Sequence, residues 1–287
     1  MITFTNSRGE SIEFTDHSSY LIQGLDLGVV GANESSYTGY DQDGEVYRKS
    51  SLDKRQVILK FAIVCDESAQ HLKARNFLMK VFNPKTGQGI FKYSYDGVER
   101  KLICVADGLP LMPLKPGTTF TQGEVVLLAH DPYFYDLSPT KISVATWRNA
   151  LKFPLTITRQ GMIFGYKEPS LIANIINEGD IECGLTIEFI AKGTVKNPSL
   201  LNINTQEYIK VNRTMVAGER ITVSTGYNNK KIVSELDGIT TNIMNYLDLN
   251  STFLQLEVGD NLFRYDADDN LSQLEVNIRY TQRYLGV

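Results

Sequence analysis

The sequence predicts a mainly β protein made of two β-sandwich domains, the first of which also contains one α-helix. Short segments in which apolar and polar residues alternate recur along the chain, and a period of two places one set of side chains in a core and the other in water. Gly, Asn and Asp separate these segments, as they do in antiparallel sheets. A single segment in the first half has the pattern of a helix instead.

The alternation is clearest in the second half of the chain. In one strand, Leu185, Ile187 and Phe189 alternate with Thr186 and Glu188. Four segments show this pattern, and they are residues 185–192, 220–224, 254–258 and 274–281. Turn residues separate these segments, so we expect an antiparallel sandwich there.

The helix is predicted over residues 66–82. Asp66 is the expected N-cap, Glu67 the expected acidic residue of the first turn, and Asn83-Pro84 the end of the helix. The polar positions form one narrow stripe, so the helix is expected to be buried on most sides. The stripe consists of Lys73, Asn76 and Lys80, and the apolar positions are Leu72, Phe77, Leu78, Met79, Val81 and Phe82.

Turns and loops complete the first half. Asp96-Gly97 lies between two strand-like segments and predicts a β-hairpin. Residues 108–117 contain three prolines, which exclude a central strand. Residues 31–51 are polar, carry three tyrosines and are predicted to be an extended loop. A structureless stretch of about twenty residues in a compact domain is unusual and is often functional.

These elements divide the chain into two domains. The first covers residues 1–135 and ends with the segment His130–Tyr135. Residues 136–287 comprise a linker or connecting strand, up to about residue 150, and the second sandwich. That sandwich is expected to begin near Phe153-Pro154.

The charge distribution argues against a nucleic-acid-binding protein. The chain has 29 Lys and Arg, 33 Asp and Glu and a net charge of −4. There are 14 basic and 16 acidic residues up to Tyr135, and 15 and 17 after it. Binding to duplex DNA depends on concentrated basic charge, because phosphate neutralisation dominates the affinity. We therefore expect no sequence-specific nucleic-acid binding.

Compartment signals favour synthesis in a reducing cytoplasm. The first eleven residues contain no apolar segment typical of a signal peptide. The apolar runs are too short to span a membrane, so we expect no membrane insertion. The three cysteines are far apart and odd in number, which argues against a disulfide scaffold.

No metal or cofactor site is predicted. Asp266, Asp268 and Asn270 match the start of a calcium-binding loop. However, Leu271 occupies the place of the required glycine and Asn277 that of the final glutamate. A solvated turn between strands explains these residues better.

No catalytic residue is predicted either. Ser51-Leu52-Asp53-Lys54 and Lys85-Thr86-Gly87 match two motifs of penicillin-recognising serine enzymes, but no Ser-Asp-Asn lies between them. The serine should begin a helix, whereas residues 57–64 read as a strand. Cys65 lies six residues before His71, yet a cysteine in such a place is usually a small buried hydrophobe. We therefore expect that the protein is not an enzyme.

An ordered series of motifs in the second half resembles a known family. The series comprises Asn177-Glu178-Gly179, Asn197-Pro198, the stretch from Leu247-Asp248 to Ser251-Thr252-Phe253, and Gly259-Asp260-Asn261. It resembles the C-terminal galectin-like domain of siphophage distal tail proteins. The first half is similar to that family too, with a strand, the helix, a hairpin and a closing Asp131-Pro132-Tyr133-Phe134.

The resemblance implies a structural role at a tail tip. In that family six copies form a ring through their N-terminal domains, and the galectin-like domains project outward. The ring joins the tail tube to the tail-associated hub or lysin protein, often carries receptor-binding proteins, and lets DNA leave through its channel. The family supplies no catalytic residues. The implied location is the virion tail tip of an active phage, a prophage or a tail-derived particle.

The resemblance also gives residues 31–51 a candidate role as an inter-subunit arm. Its tyrosines, Tyr37, Tyr40 and Tyr47, offer contact area at modest entropy cost. A mobile surface loop is an equally open interpretation. The alternative function is a carbohydrate-binding adhesion module that stacks an aromatic ring under a sugar, although the only tryptophan, Trp147, lies in the linker region.

Overall fold

The computed structural model describes residues 1–144, 147–149, 165–167 and 172–287, the two short segments by their backbone alone. These residues form two compact units. The first unit contains residues 1–137 and 284–287, and the second contains residues 138–283. The expected start of the second sandwich, at Phe153-Pro154, lies outside the described residues.

The first unit contains ten strands, one helix and a short 3₁₀ turn at Pro84–Thr86. Its elements are β1 (Ile2–Thr5), β2 (Ser11–Phe14), β3 (Tyr20–Asp26), β4 (Ala32–Tyr37), β5 (Val46–Leu52), β6 (Arg55–Val64), α1 (Ser68–Val81), β7 (Gly89–Tyr95), β8 (Val98–Ala106), β9 (Phe120–Ala129) and β10 (Phe134–Tyr135). The main sheet has the order β2-β1-β7-β8-β9-β6-β3 and its pairs are antiparallel.

The second unit contains the remaining strands and two further 3₁₀ turns, Met244–Tyr246 and Leu271–Gln273. Its strands are β11 (Thr140–Ser143), β12 (Trp147–Asn149), β13 (Gly165–Lys167), β14 (Ile172–Asn177), β15 (Cys183–Ala191), β16 (Val195–Asn202), β17 (Tyr208–Lys210), β18 (Thr214–Met215), β19 (Arg220–Ser224), β20 (Lys231–Leu236), β21 (Ile239–Asn242), β22 (Gln255–Leu256), β23 (Gly259–Asp269) and β24 (Leu274–Tyr280). A last strand, β25 (Arg283–Tyr284), leads back into the first unit.

One aromatic cluster holds the core of the first unit together. Phe82, directly after α1, stacks on Phe4 of β1 with ring centroids 4.6 Å apart. Phe14 of β2 packs against Phe82 and against Phe61 of β6. All four rings are buried, so helix and sheet share one apolar core, as hydrophobic burial requires.

The helix starts later than the sequence predicts. The N-cap is Glu67 rather than Asp66; its backbone is extended, and its side chain makes no capping hydrogen bond. The reason lies in the sheet, because the amide of Cys65 still donates to the carbonyl of Thr119. The chain therefore leaves the strand geometry too late for Asp66 to cap the helix. The predicted end is confirmed, since Asn83 begins the next turn.

The expectation that α1 is buried on most sides is wrong. Its buried residues are His71, Leu78 and Val81, which share one face of the helix. Leu72 and Phe77 are 49% and 39% exposed. The helix packs against a layer on one side only. One stripe of side chains is therefore buried, and the rest of its apolar surface is exposed to solvent.

The sequence suggested that residues 31–51 form a structureless loop, and this prediction is wrong. These residues contain β4 and β5, which pair antiparallel with each other and with no other strand of the described chain.

The predicted hairpin at Asp96-Gly97 is confirmed. Both turn residues have positive φ angles, and β7 pairs with β8 on either side of them. Residues 108–117 form no strand, as predicted.

The second unit is a sandwich with a single core. One sheet has the order β11-β24-β15-β19-β20-β21 and the other β14-β23-β16-β17, with β22 and β18 added at β15 and β16. Both sheets send buried side chains into that core, among them Ile187 and Val223 from the first and Leu200 and Phe263 from the second. The mainly β architecture with two sandwich-like domains and one helix is therefore confirmed.

The predicted strand over 254–258 is shorter than expected. Only Gln255 and Leu256 form a strand. The side chain of Asn261 accepts a hydrogen bond from the amide of Glu257 and donates to its carbonyl, at 3.0 and 2.8 Å. This turn ends the strand and leaves Val258 exposed.

A buried arginine joins the two ends of the first unit. Arg55 of β6 is nearly inaccessible to solvent and lies over the ring of Phe134. Its guanidinium donates to four backbone carbonyls, which are those of Leu27 (3.0 Å), Gly28 (3.2 Å), Pro132 (2.7 Å) and Leu285 (2.6 Å). The last of these contacts fixes the carboxyl-terminal residues of the chain to the first unit.

Within the described part of the chain, no helix is both long enough and apolar enough to cross a lipid bilayer.

Candidate assembly surfaces

The most unusual surface of the first unit is a two-stranded ribbon formed by β4 and β5. Ala32 pairs with Leu52 at its base and Tyr37 with Val46 near its end, with a bulge between Ser35 and Ser36. All residues of β4 and all but the last of β5 are exposed. The ribbon therefore extends from the unit, and neither of its faces is covered by another layer.

The three tyrosines that the sequence singled out all lie toward the end of the ribbon. Tyr40 is fully exposed at the turn, and Tyr37 and Tyr47, which lie on the two strands, are 46% and 60% exposed. Arg48 lies 4.5 Å above the ring of Tyr37, and the hydroxyl of Tyr47 donates to Ser50 at 2.8 Å. These contacts stay within the ribbon.

We call residues 37–47 the ribbon tip. It contains three acidic side chains and no basic one, and the acidic residues are Asp41, Asp43 and Glu45. Asp41 and Gly44 have φ angles of 59° and 80°, which a tight chain reversal requires. The tip thus presents aromatic surface and negative charge together.

A ribbon of this kind is marginally stable in water. Two strands without a hydrophobic face or a third strand do not usually fold alone, so a ribbon with both faces in solvent lacks the packing that would stabilise it. Tyr40 is fully exposed, so its ring gains no packing energy within its own subunit. The geometry therefore fits a binding element better than a spacer.

The motifs shared with penicillin-recognising enzymes do not form a site. Ser51 lies in β5 and not at the start of a helix, and Lys85 and Thr86 belong to a 3₁₀ turn.

Burial raises the pKa of the Cys104 thiol to about 12, so at neutral pH this thiol is not a nucleophile. Within the described ranges, no three potential metal-ligating side chains come together. Asp268 lies in strand β23, where Lys210 holds it.

A network of hydrogen bonds on the second unit was not predicted from the sequence. Asp248 accepts from the hydroxyl of Tyr208 (3.1 Å), the amide side chain of Asn212 (3.1 Å) and the backbone of Asn250 (3.0 Å). In β23, Asp268 accepts from Lys210 (2.7 Å) and Asn197 (2.8 Å). The donors occupy both carboxylates, so the network fastens the segment around residue 248 to β17.

These donors lower the pKa of both aspartates. For Asp248 the main cause is the hydrogen bond from Asn212, and for Asp268 the hydrogen bond from Lys210. An unfolded aspartate titrates near pH 3.9, at about the ordinary value. The ionised carboxylates therefore stabilise the fold above that pH, and this contribution is lost as the pH falls through the lower pKa of the folded state.

We predict that Asp248→Asn and Asp268→Asn, made together, reduce the loss of stability that the protein shows as the pH falls. The urea midpoint of the variant is expected to fall less than that of the parent between pH 6 and pH 3, because fewer carboxylates take up protons on unfolding. Asp237→Asn, at an exposed turn with positive φ that asparagine also adopts, is the control. Equal slopes in all three proteins would contradict the prediction.

Comparison with known proteins agrees with this architecture. Residues 178–284 match the family described as siphovirus-type tail component, C-terminal domain. The crystal structure of the SPP1 Dit protein (gp 19.1), described as a paradigm of the hub adsorption apparatus in phages that infect Gram-positive bacteria, is similar with a TM-score of 0.69. It is 15% identical, and the match covers 99% of this chain and 100% of that one.

Two structures of the phage P2 baseplate in its activated conformation are similar as well. The structure with Ca has a TM-score of 0.55 at 8% identity and covers 100% of this chain and 99% of its own. The structure with Sr has a TM-score of 0.54 at 10% identity and covers 100% of both chains. No curated protein sequence matches the chain significantly.

The family match and the structural matches support different statements. At identities of 8% to 15% the structural likeness establishes the fold, whereas the sequence match over residues 178–284 establishes the kind of domain. The resemblance read from the motifs of the second half is thereby confirmed. Residues 178–284 therefore form a domain of the siphovirus-type tail component family, and the described chain has the fold of the SPP1 Dit protein.

Proposed function

We propose that this protein is the distal tail protein of a siphovirus-type tail, with six copies forming a ring that joins the tail tube to the tail-associated hub or lysin protein. The observation that carries the proposal is the match of residues 178–284 to a siphovirus-type tail component. The fold shared with SPP1 Dit, a protein of a hub adsorption apparatus, supports it. The protein is made in the host cytoplasm and acts at the virion tail tip.

The two domains have separate tasks in this proposal. Residues 1–135 form the ring around a channel for DNA, and residues 136–287 face outward toward receptor-binding proteins. The ribbon, with Tyr37, Tyr40 and Tyr47, is the arm that contacts the next subunit. A heterologous contact of this type, repeated by rotation, closes into a ring. The mild net negative charge suits a channel, because a basic lumen would retain DNA through its phosphates.

The proposal includes no catalytic step, cofactor or metal. The buried or saturated ionisable groups described above have structural partners. Asp248 and Asp268 accept hydrogen bonds from several donors, and Arg55 donates to backbone carbonyls. Such groups fasten strands and termini, which is what an assembly subunit requires.

Negative-stain imaging of the full chain tests the ring. We expect closed six-fold particles of about six times 32.3 kDa, either alone or after coexpression with the tail tube and hub proteins. A chain that remains monomeric by imaging and light scattering, even in the presence of those proteins, would refute the proposal.

The arm is tested in the same assay with Tyr37→Ala, Tyr40→Ala and Tyr47→Ala combined. These side chains are exposed, so the fold should survive while ring formation is lost or strongly reduced. The matched control is Tyr227→Ala, a tyrosine of the second unit that is 62% exposed. If the ribbon variant still formed intact rings, the proposed ring would stand, but the proposed role of the ribbon as an inter-subunit arm would be refuted.

A further inference from the structure

A second exposed surface of the first unit lies on strands β7 and β8. The register of this hairpin sets Ile90 opposite Ile103 and Lys92 opposite Lys101. Both isoleucines are exposed, on the side of the sheet away from the aromatic core. We call these four residues the β7–β8 face.

The two lysines are an unfavourable pair in the isolated subunit. Like charges directly opposite each other on neighbouring strands destabilise a sheet. Burial and the charge of Lys92 both lower the pKa of Lys101, although Asp136 acts in the opposite direction. The ammonium of Lys101 donates to the carbonyl of Leu137, and Lys92 forms no ion pair with any residue that the structure describes.

This face has the chemistry that the ribbon tip lacks. The tip carries three carboxylates and three tyrosines and no basic residue. The β7–β8 face carries two lysines at directly opposite backbone positions beside two exposed isoleucines, and Lys92 is exposed. Complementary charge favours encounter and fixes the docking register, and aromatic rings over aliphatic side chains supply the apolar contact.

We infer that the ribbon tip of one copy docks on the β7–β8 face of a second copy. The carboxylates of Asp41 and Asp43 lie against Lys92 and Lys101, and the tyrosines cover Ile90. Strand β4 alone spans roughly 20 Å, which is enough for the tip to reach beyond its own subunit. The inference rests on the proposed ring and names the surface that receives the arm.

The occupant is a second copy rather than the same chain. A tip bound to its own β7–β8 face would bury its side chains, yet Tyr37, Tyr40 and Tyr47 are exposed. Donor and acceptor surfaces are different, so each subunit gives one tip and receives another. This contact is heterologous, as closure into a ring requires.

Site-specific photocrosslinking tests the inference on the full chain. The donor carries p-benzoylphenylalanine in place of Tyr40, and the acceptor is ¹⁵N-labelled wild-type chain, mixed in equal amounts. After irradiation, mass spectrometry distinguishes links between light and heavy chains from links within one chain. We expect the light residue 40 to be joined to heavy peptides from residues 89–106.

Charge reversal then tests the role of the lysines. Lys92→Glu in the acceptor is expected to reduce these links by about tenfold, and Asp41→Lys with Asp43→Lys in the donor to restore most of the loss. The control acceptor carries Lys85→Glu, a change of equal charge at an exposed turn. Lys92 is exposed, so its variant should fold, and circular dichroism checks this.

The outcomes separate this inference from the proposed ring. Rings with links from residue 40 to other peptides, or with no links, refute the docking surface alone. Links to residues 89–106 without closed particles support the docking and refute the ring. Equal link yields for Lys92→Glu and Lys85→Glu refute the charge complementarity on which the inference is built.

Discussion

Replacing Arg55 by methionine is expected to lower the free energy of unfolding of the first unit by about 3–4 kcal/mol. Methionine preserves much of the side-chain volume and its contact with Phe134, but it removes every hydrogen bond of the guanidinium. The carbonyls of Leu27, Pro132 and Leu285 then lose their donor at distances of 3.0, 2.7 and 2.6 Å. A buried acceptor left without a donor, such as the carbonyl of Pro132, costs about 1–3 kcal/mol. The cost is lower at the part-buried carbonyls of Leu27 and Leu285, where water can enter.

Denaturant unfolding, followed by hydrogen exchange, measures this effect. The exchange of the amides of residues 284–287 should accelerate most, because Arg55 fixes the carbonyl of Leu285. Arg55→Lys should fall between methionine and wild type, since an ammonium cannot reproduce the planar fork. Arg8→Met, at an exposed position, is the control. A loss below about 1 kcal/mol for Arg55→Met would mean that water already satisfies these carbonyls.

The sequence identified the elements whose signals are local. Alternation predicted the strands around Ile187 and Ile278, and Asp96-Gly97 predicted the hairpin, because burial on one face and positive φ angles leave a direct mark on residue choice. The ribbon left no such mark. Its strands are held by backbone hydrogen bonds with both faces in solvent, so polar residues such as Asn33 and Ser50 can occupy every position.

For α1 the sequence does contain a clear apolar pattern, but that pattern overestimated how much of the helix is buried. Apolar residues at Leu72 and Phe77 suggested a covered face, but a sequence does not state how many layers surround a helix. Apolar side chains on a surface are common. Their exposure here is a property of the isolated chain.

Parts of the candidate surfaces could have been derived without coordinates. A two-residue turn at Asp96-Gly97 fixes the register, and counting outward places Lys92 opposite Lys101. Likewise, Arg55 is in phase with the buried Val57 and Leu59, which predicts a buried arginine. The Asp248 network was not accessible in this way, because its donors are brought together only by the fold.

Glu219→Ala is expected to lower the free energy of unfolding of the second unit by about 3 kcal/mol. Glu219 is only 1% exposed. One carboxylate oxygen accepts from Arg213 at 3.0 Å and from the hydroxyl of Ser234 at 2.5 Å, and the other accepts from the amide of Val216 at 3.1 Å. Alanine leaves the hydroxyl of Ser234 buried without its acceptor and removes the acceptor of the Val216 amide, while Arg213, about one third exposed, regains water.

Two comparisons establish whether the buried carboxylate causes this effect. Glu235→Ala removes an exposed glutamate 3.8 Å from Arg220, and such a pair contributes at most about 1 kcal/mol. Glu219→Gln keeps the shape and one acceptor oxygen, so it should cost less than alanine. If Glu219→Ala were no more costly than Glu235→Ala, the hydroxyl of Ser234 and the amide of Val216 would have to find water. The turn between β18 and β19 would then be open to solvent rather than closed around this side chain.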